Sequence, residues 1–96
     1  ESLAAVRVDE KWGFIDKTGH LLIPLQYDYA WNFKEDVAAV KQNGKWGFID
    51  KAGQEFLPFL YDEADSFSKG FAEVKMDTLW GVIDKTGTWV KNEDCI

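Results

Sequence analysis

Few residues in this chain are equipped for covalent chemistry. Among 96 residues there is one histidine, His20, and one cysteine, Cys95. Catalysis needs a nucleophile, a base or a metal cluster within mutual reach. A lone thiol gives no internal disulfide and no sulfur-rich zinc site. No phosphate-cradling glycine loop or nucleophile elbow is present. Asp16, Asp50 and Asp84 recur every 34 residues and invite a calcium or acid–base role. Each, however, opens an Asp-Lys-x-Gly stretch, where the carboxylate can accept a hydrogen bond from the backbone two residues on. Turn formation is the simpler account. His20 corresponds to Gln54 and Thr88 in that register, so it reads as an exposed strand residue. No catalytic residue, cofactor or metal is expected, and the chain reads as a non-enzyme.

Recognition chemistry is better represented. Asp62, Glu63 and Asp65 form one acidic group, and Glu93 with Asp94 a second. Both could face a basic partner, although such groups are commonly just solvated surface. Trp12, Trp46 and Trp80 recur beside a glycine in every repeat and read as architectural, each burying about 2–3 kcal/mol of apolar transfer free energy. Trp31 and Trp89 differ, because their counterparts are Asp65 and Leu21 or Glu55. Positions that accept an acid are expected to be exposed, and exposed tryptophans are frequent binding anchors. The candidate partner-binding set is therefore Trp31, Trp89, Asp62, Glu63, Asp65, Glu93 and Asp94.

The elements that must position these residues follow from the repeat. The stretch Lys45-Trp46-Gly47-Phe48-Ile49-Asp50-Lys51 is preceded by Lys11–Lys17 and followed by Leu79–Lys85 in the same frame. A period of this length marks a repeat architecture. Three units result: 3–36, 37–70 and a truncated 71–96, within one domain spanning 1–96. Each opens with an alternating stretch in which Val6, Val40 and Val74 share one face and Arg7, Lys41 and Lys75 the other, the pattern of a half-buried strand. Asn43-Gly44 then signals a type I′ hairpin turn, with Asp9-Glu10 and Asp77-Thr78 in the same frame. The Trp-Gly stretch makes a second strand, its glycine covered by a neighbouring aromatic ring. Asp-Lys-x-Gly turns lead to a third strand closed by Pro24 or Pro58. The connectors 27–33 and 61–67 place Tyr, Ala and Phe at i, i+3 and i+6, which suits a short turn or a single helical turn. Lys69-Gly70 offers its stop signal. No long helix is expected. The third unit leaves by Lys91-Asn92 instead of Ile-Pro or Leu-Pro and reads as a polar cap, whereas the opening residues enter a strand directly, as if cut.

These residues resemble the bacterial WG-repeat family, also called KWG repeats. The resemblance rests on Val-x4-Lys-Trp-Gly-Phe-Ile-Asp-Lys-x-Gly followed by Pro-x-x-Tyr-Asp, and it covers residues 3 to 90. The third copy departs through Leu79, Val82 and a missing Pro-x-x-Tyr. The resemblance implies a β-rich array and a protein-interaction or surface module without a shared catalytic site. Helical tetratricopeptide repeats share the period, but Asn43-Gly44 and the strict alternation are wrong for helices.

The expected fold is thus all-β: three tandem antiparallel three-stranded meanders stacked as a twisted, solenoid-like sheet. A small closed or half-closed barrel is the alternative. Aromatic residues at 16% supply a core despite the short length. The net charge of −6 disfavours nucleic acid, which needs a basic footprint, and favours solubility or a basic protein partner. No apolar run approaches the roughly 18–20 residues that span a bilayer, so no membrane insertion is expected. The expected function is a non-catalytic module binding another protein. Alternatives are an acidic immunity protein blocking a basic nuclease-type toxin, and a carbohydrate or cell-wall binder using Trp31 and Trp89. Exposed strand edges leave room for a homo-oligomer.

Overall fold

A computed structural model describes residues 3–92. Strands β1 (Ala4–Val8), β2 (Lys11–Ile15) and β3 (Leu21–Tyr27) form a first antiparallel sheet in that order. The second contains β4 (Tyr29–Ala30), β5 (Val37–Gln42), β6 (Lys45–Asp50) and β7 (Glu55–Tyr61), again in sequence order. The third contains β8 (Glu63–Ala64), β9 (Phe71–Met76), β10 (Leu79–Asp84) and β11 (Trp89–Asn92). The chain is all-β, and no closed barrel forms among the described residues.

The local chemistry explains the meander. Asn43 and Gly44 sit at φ 54° and 84°, as a type I′ turn requires. Asp9 and Glu10 adopt the same geometry at φ 51° and 70° without a glycine. At the next corner Asp16 Oδ1 accepts from the Thr18 backbone N–H at 2.9 Å, the Thr18 hydroxyl at 2.7 Å and the His20 N–H at 3.0 Å. Asp50 and Asp84 bind their own turns likewise. His20 is exposed but lies in this corner, just ahead of β3.

Three sequence expectations need correction. First, β3 and β7 do not stop at proline; they run through Pro24 and Pro58. Both are edge strands, where a missing N–H leaves no ladder bond unmade, and the pairing slips beside each proline. Secondly, the connectors contain no helical turn. The chain bends at Asp28 and Asp62 and stays extended, so that β4 and β8 pair with the first long strand of the following repeat. The second and third sheets are therefore four-stranded. Lys69-Gly70 is a tight hairpin turn, as is Glu35-Asp36; the flanking pairs Lys34–Val37 and Ser68–Phe71 exchange both backbone bonds. Thirdly, a ring covers only one of the two strand glycines whose surroundings are defined. A Cβ on Gly47 would lie 2.8 Å from Phe59 Cγ, whereas one on Gly13 would lie 2.5 Å from the Ile23 carbonyl oxygen.

The core sits between sheets. Phe14, Ile23, Tyr27 and Phe33 meet Ala38, Val40 and Ile49 in one cluster. Val37, Ala39, Trp46, Phe48 and Leu57 meet Ala72, Val74 and Ile83 in the other. Alternate residues of β5 thus face opposite clusters, and Val37–Val40 are all buried. Half-burial, expected of this strand, holds for β9 instead. Three layers in series give the molecule its 45 × 25 × 16 Å extents. Of the repeated tryptophans only Trp46 is buried, at 8% exposed; Trp12 and Trp80 are half-buried near the ends of the stack.

Candidate functional site

The short strands β4 and β8 lie on the edges of their sheets, and they and the residues just after them carry three of the candidates, Trp31, Glu63 and Asp65. In β4 the buried Ala30 anchors the segment in the core, which turns Tyr29 and Trp31 outward. The Trp31 N–H bonds the Ala39 carbonyl at 2.9 Å and fixes its backbone to β5. Its indole Nε1–H donates to the Ala64 carbonyl of β8 at 3.1 Å. Tyr29 and Trp31 remain 42% and 41% exposed.

Four rings meet here. Tyr29 lies 5.2 Å from Trp12, 5.8 Å from Trp46 and 5.6 Å from Trp31. Trp31 is stacked on Trp46 at 6.3 Å with an interplanar angle of 19°. The cluster bridges the first and second sheets, with Trp12 and Trp46 packed against the outer pair. Rings locked by neighbours lose little side-chain entropy on binding, which favours them as anchors.

Carboxylates adjoin the rings. Ala64, which receives the Trp31 indole bond, is flanked in the chain by Glu63 and Asp65, both exposed. Glu63 has Lys75 at 3.7 Å, a loose pair, and Asp65 Oδ1 accepts from the Ser66 N–H at 2.8 Å. Their repeat counterparts are Tyr29 and Trp31. The same edge is therefore aromatic on the second sheet and acidic on the third.

Other sequence candidates lie elsewhere. Asp62 is structural: it accepts from Lys45 Nζ at 2.5 Å and from the Asp77 N–H at 2.7 Å, closing the hairpin turn onto the connector. The Lys45 bond, then the Asp77 N–H, hold its carboxyl below the usual range. Asp28 does the same with Lys11 and Asn43. Trp89 is half-buried and packs on the core between the second and third sheets, so its expected exposure is not found. It is held there because β11 pairs against β10, opposite Ile83. Glu93 and Asp94 lie outside the described residues. Sequence reading missed Tyr29, although its counterpart Glu63 carries the signal that singled out Trp31.

A second polar cluster is a clasp. The Glu35 carboxylate accepts from the Lys69 and Gly70 N–H groups and lies 3.5 Å from Lys85, whose ammonium bonds the Glu35 carbonyl at 2.9 Å. A cleft of about 330 Å³ beside it is lined by Glu35, Asp36, Val37, Asp50, Phe56 and Lys85. Its carboxylates are engaged: Glu35 with the 69–70 turn, Asp36 with Lys51 at 3.2 Å, and Asp50 with its own corner. Among the described residues no group of three or more His, Cys, Asp or Glu could hold a metal ion.

The WG-containing repeat family matches residues 12–46 and 46–78. The chain belongs to this family. Its repeated Trp-Gly dipeptides are the ones that the fold places on β2, β6 and β10. No curated protein and no solved structure matches the chain.

Proposed function

We propose that this WG-repeat chain is a non-catalytic module that binds another protein through the edge formed by Tyr29, Trp31, Glu63 and Asp65. One observation carries the reading: two exposed rings, backed by Trp12 and Trp46, stand beside two exposed carboxylates. An arginine or lysine side chain suits such a pair, since it stacks on the ring face while its charge meets the carboxylate. A cation–π contact of this kind is worth about 0.5–2 kcal/mol, and charge complementarity adds on-rate and specificity. The net charge of −6 extends the attraction over the whole surface. An immunity protein filling the basic cleft of a nuclease-type toxin would be one special case.

The test is a pull-down from the lysate of its own organism with the wild type and Trp31→Ala as parallel baits. A basic protein held at low salt, released at high salt and absent from the variant supports the proposal. Equal retention by both baits overturns it. Exposed rings also stack on sugars, which favours carbohydrate binding as a second reading. Quenching of tryptophan emission by oligosaccharides, unaffected by salt, would decide for that reading.

A further inference from the structure

A different surface, the outer face of the first sheet, carries an inference independent of the aromatic edge. Inside the stack, each sheet meets its predecessor with the same three positions. Ala38, Val40 and Ile49 are 1%, 0% and 1% exposed, and Ala72, Val74 and Ile83 are 3%, 0% and 0%. On the first sheet the counterparts are Ala4, Val6 and Ile15, the same residue types, yet Ala4 is exposed and the other two are only half-buried. Val8, on the same side of β1, is 51% exposed.

Among the described residues the adjoining strand edge is open as well. In the second sheet, β5 is bordered by Asp28-Tyr29-Ala30-Trp31: the Asp28 N–H bonds the Lys41 carbonyl at 2.7 Å and the Trp31 N–H the Ala39 carbonyl at 2.9 Å. Asp28 Oδ2 also accepts from the turn N–H of Asn43 at 3.0 Å. In the third sheet, Asp62-Glu63-Ala64-Asp65 repeats these contacts on Lys75, Glu73 and Asp77 at 2.7, 2.9 and 2.7 Å. The counterparts on the first sheet are the carbonyls of Arg7 and Ala5 and the N–H of Asp9. Among the described residues β1 pairs only with β2, and Asn32 Oδ1 satisfies just the Ala5 N–H, at 3.0 Å.

We infer that this face and edge together form a docking site for a further WG-repeat sheet, which supplies both an Ala/Phe-bearing face and an Asp-x-Ala-x border strand. The two internal interfaces define that occupant residue by residue. A second copy of this chain does not meet the requirement. On its third sheet Glu73 and Val82 stand where Ala39 and Phe48 stand on the second, and Glu73 is exposed. Association is thereby directed to one end of the stack.

The experiment fuses an additional copy of residues 3–36 in register ahead of Leu3 and compares the product with the original chain. Both carry Cys95→Ser and Ala4→Cys, the latter at the original Ala4. The fused protein is expected to have the higher urea midpoint. Its thiol is expected to react more slowly by about an order of magnitude or more, as at a protected site. A second variant, Val6→Asp, should lower the midpoint of the fused protein far more than that of the original chain, where Val6 is only half-buried, and so abolish the gain from the fusion. Equal thiol reactivity in both proteins overturns the inference. So does concentration-dependent protection of the introduced thiol in the unfused chain, which would make a second copy the occupant.

Discussion

At the residue scale, one type of side chain does two jobs here, and geometry separates them. Asp62 and Asp65 lie three residues apart in an acidic stretch. Asp62 is tied to Lys45 and to the 77–78 turn, whereas the Asp65 carboxylate accepts from its neighbour's N–H and is exposed. Asp62→Ala should therefore lower the thermal midpoint clearly, while Asp65→Ala should leave it nearly unchanged and weaken partner binding. The tied carboxylates also set a pH dependence. Thr18, Lys11, Lys45 and Thr86 are the leading causes that hold Asp16, Asp28, Asp62 and Asp84 below 3.8. The Gly70 N–H leads for Glu35, held below 4.5. A carboxyl with a lowered folded-state pKa contributes stability above its unfolded value and loses it as pH falls through the folded one. Thermal melts should be flat down to about pH 5 and fall steadily below it. In Asp28→Asn/Asp62→Asn that acid limb should be shallower, because two of the titrating groups are gone.

At the element scale, the glycine on the second strand of the middle repeat is a close-approach residue. Gly47 lets Phe59 lie against the strand, and a Cβ there would also come within 3.0 Å of the Phe59 Cα. The backbone contact cannot be relieved by rotating the ring. Gly47→Ala should cost about 1–3 kcal/mol, as overpacking in cores does, measurable as a lower urea midpoint. Phe59→Ala in the same chain should recover part of that cost, since it removes the nearest ring atoms. The strands, the hairpin at 43–44 and the aspartate corners were legible in the sequence because each depends on local chemistry. The connectors were not. Tyr27, Ala30 and Phe33 do share one cluster, as their spacing implied. A chain bent at Asp28 brings them to one side as a helical turn would, and a three-residue interval does not distinguish the two. The deciding contacts, such as the Trp31 N–H on Ala39, lie in the next repeat.

At the scale of the whole molecule, the sheets are layers in series, and each interface is closed by residues from two repeats. The period revealed the number of layers, and alternation revealed which residues share a face. What alternation left open was that the middle layer is buried on both faces, since that depends on layers lying ahead and behind. The aromatic edge was half legible for the same reason: Trp31 stood out by comparison between repeats, but its contacts with Trp12, Trp46 and Ala64 span three layers. The contrast between Ala39 and Glu73 tests this serial picture. The two occupy equivalent places, yet Ala39 is fully buried against the third sheet and Glu73 is exposed at the end of the stack. Glu73→Ala should change stability by no more than about 0.5 kcal/mol, as surface substitutions do. Ala39→Glu would force a charge into a packed apolar interface, at a cost of several kcal/mol, against a total of about 5–15 kcal/mol for a domain. Because the layers are in series, the loss should be directional. Hydrogen exchange on Ala39→Glu should show β9 and β10 losing protection while β2 retains more of it. Uniform loss across all three sheets would mean that the stack unfolds as one unit and that the layers are not energetically separable.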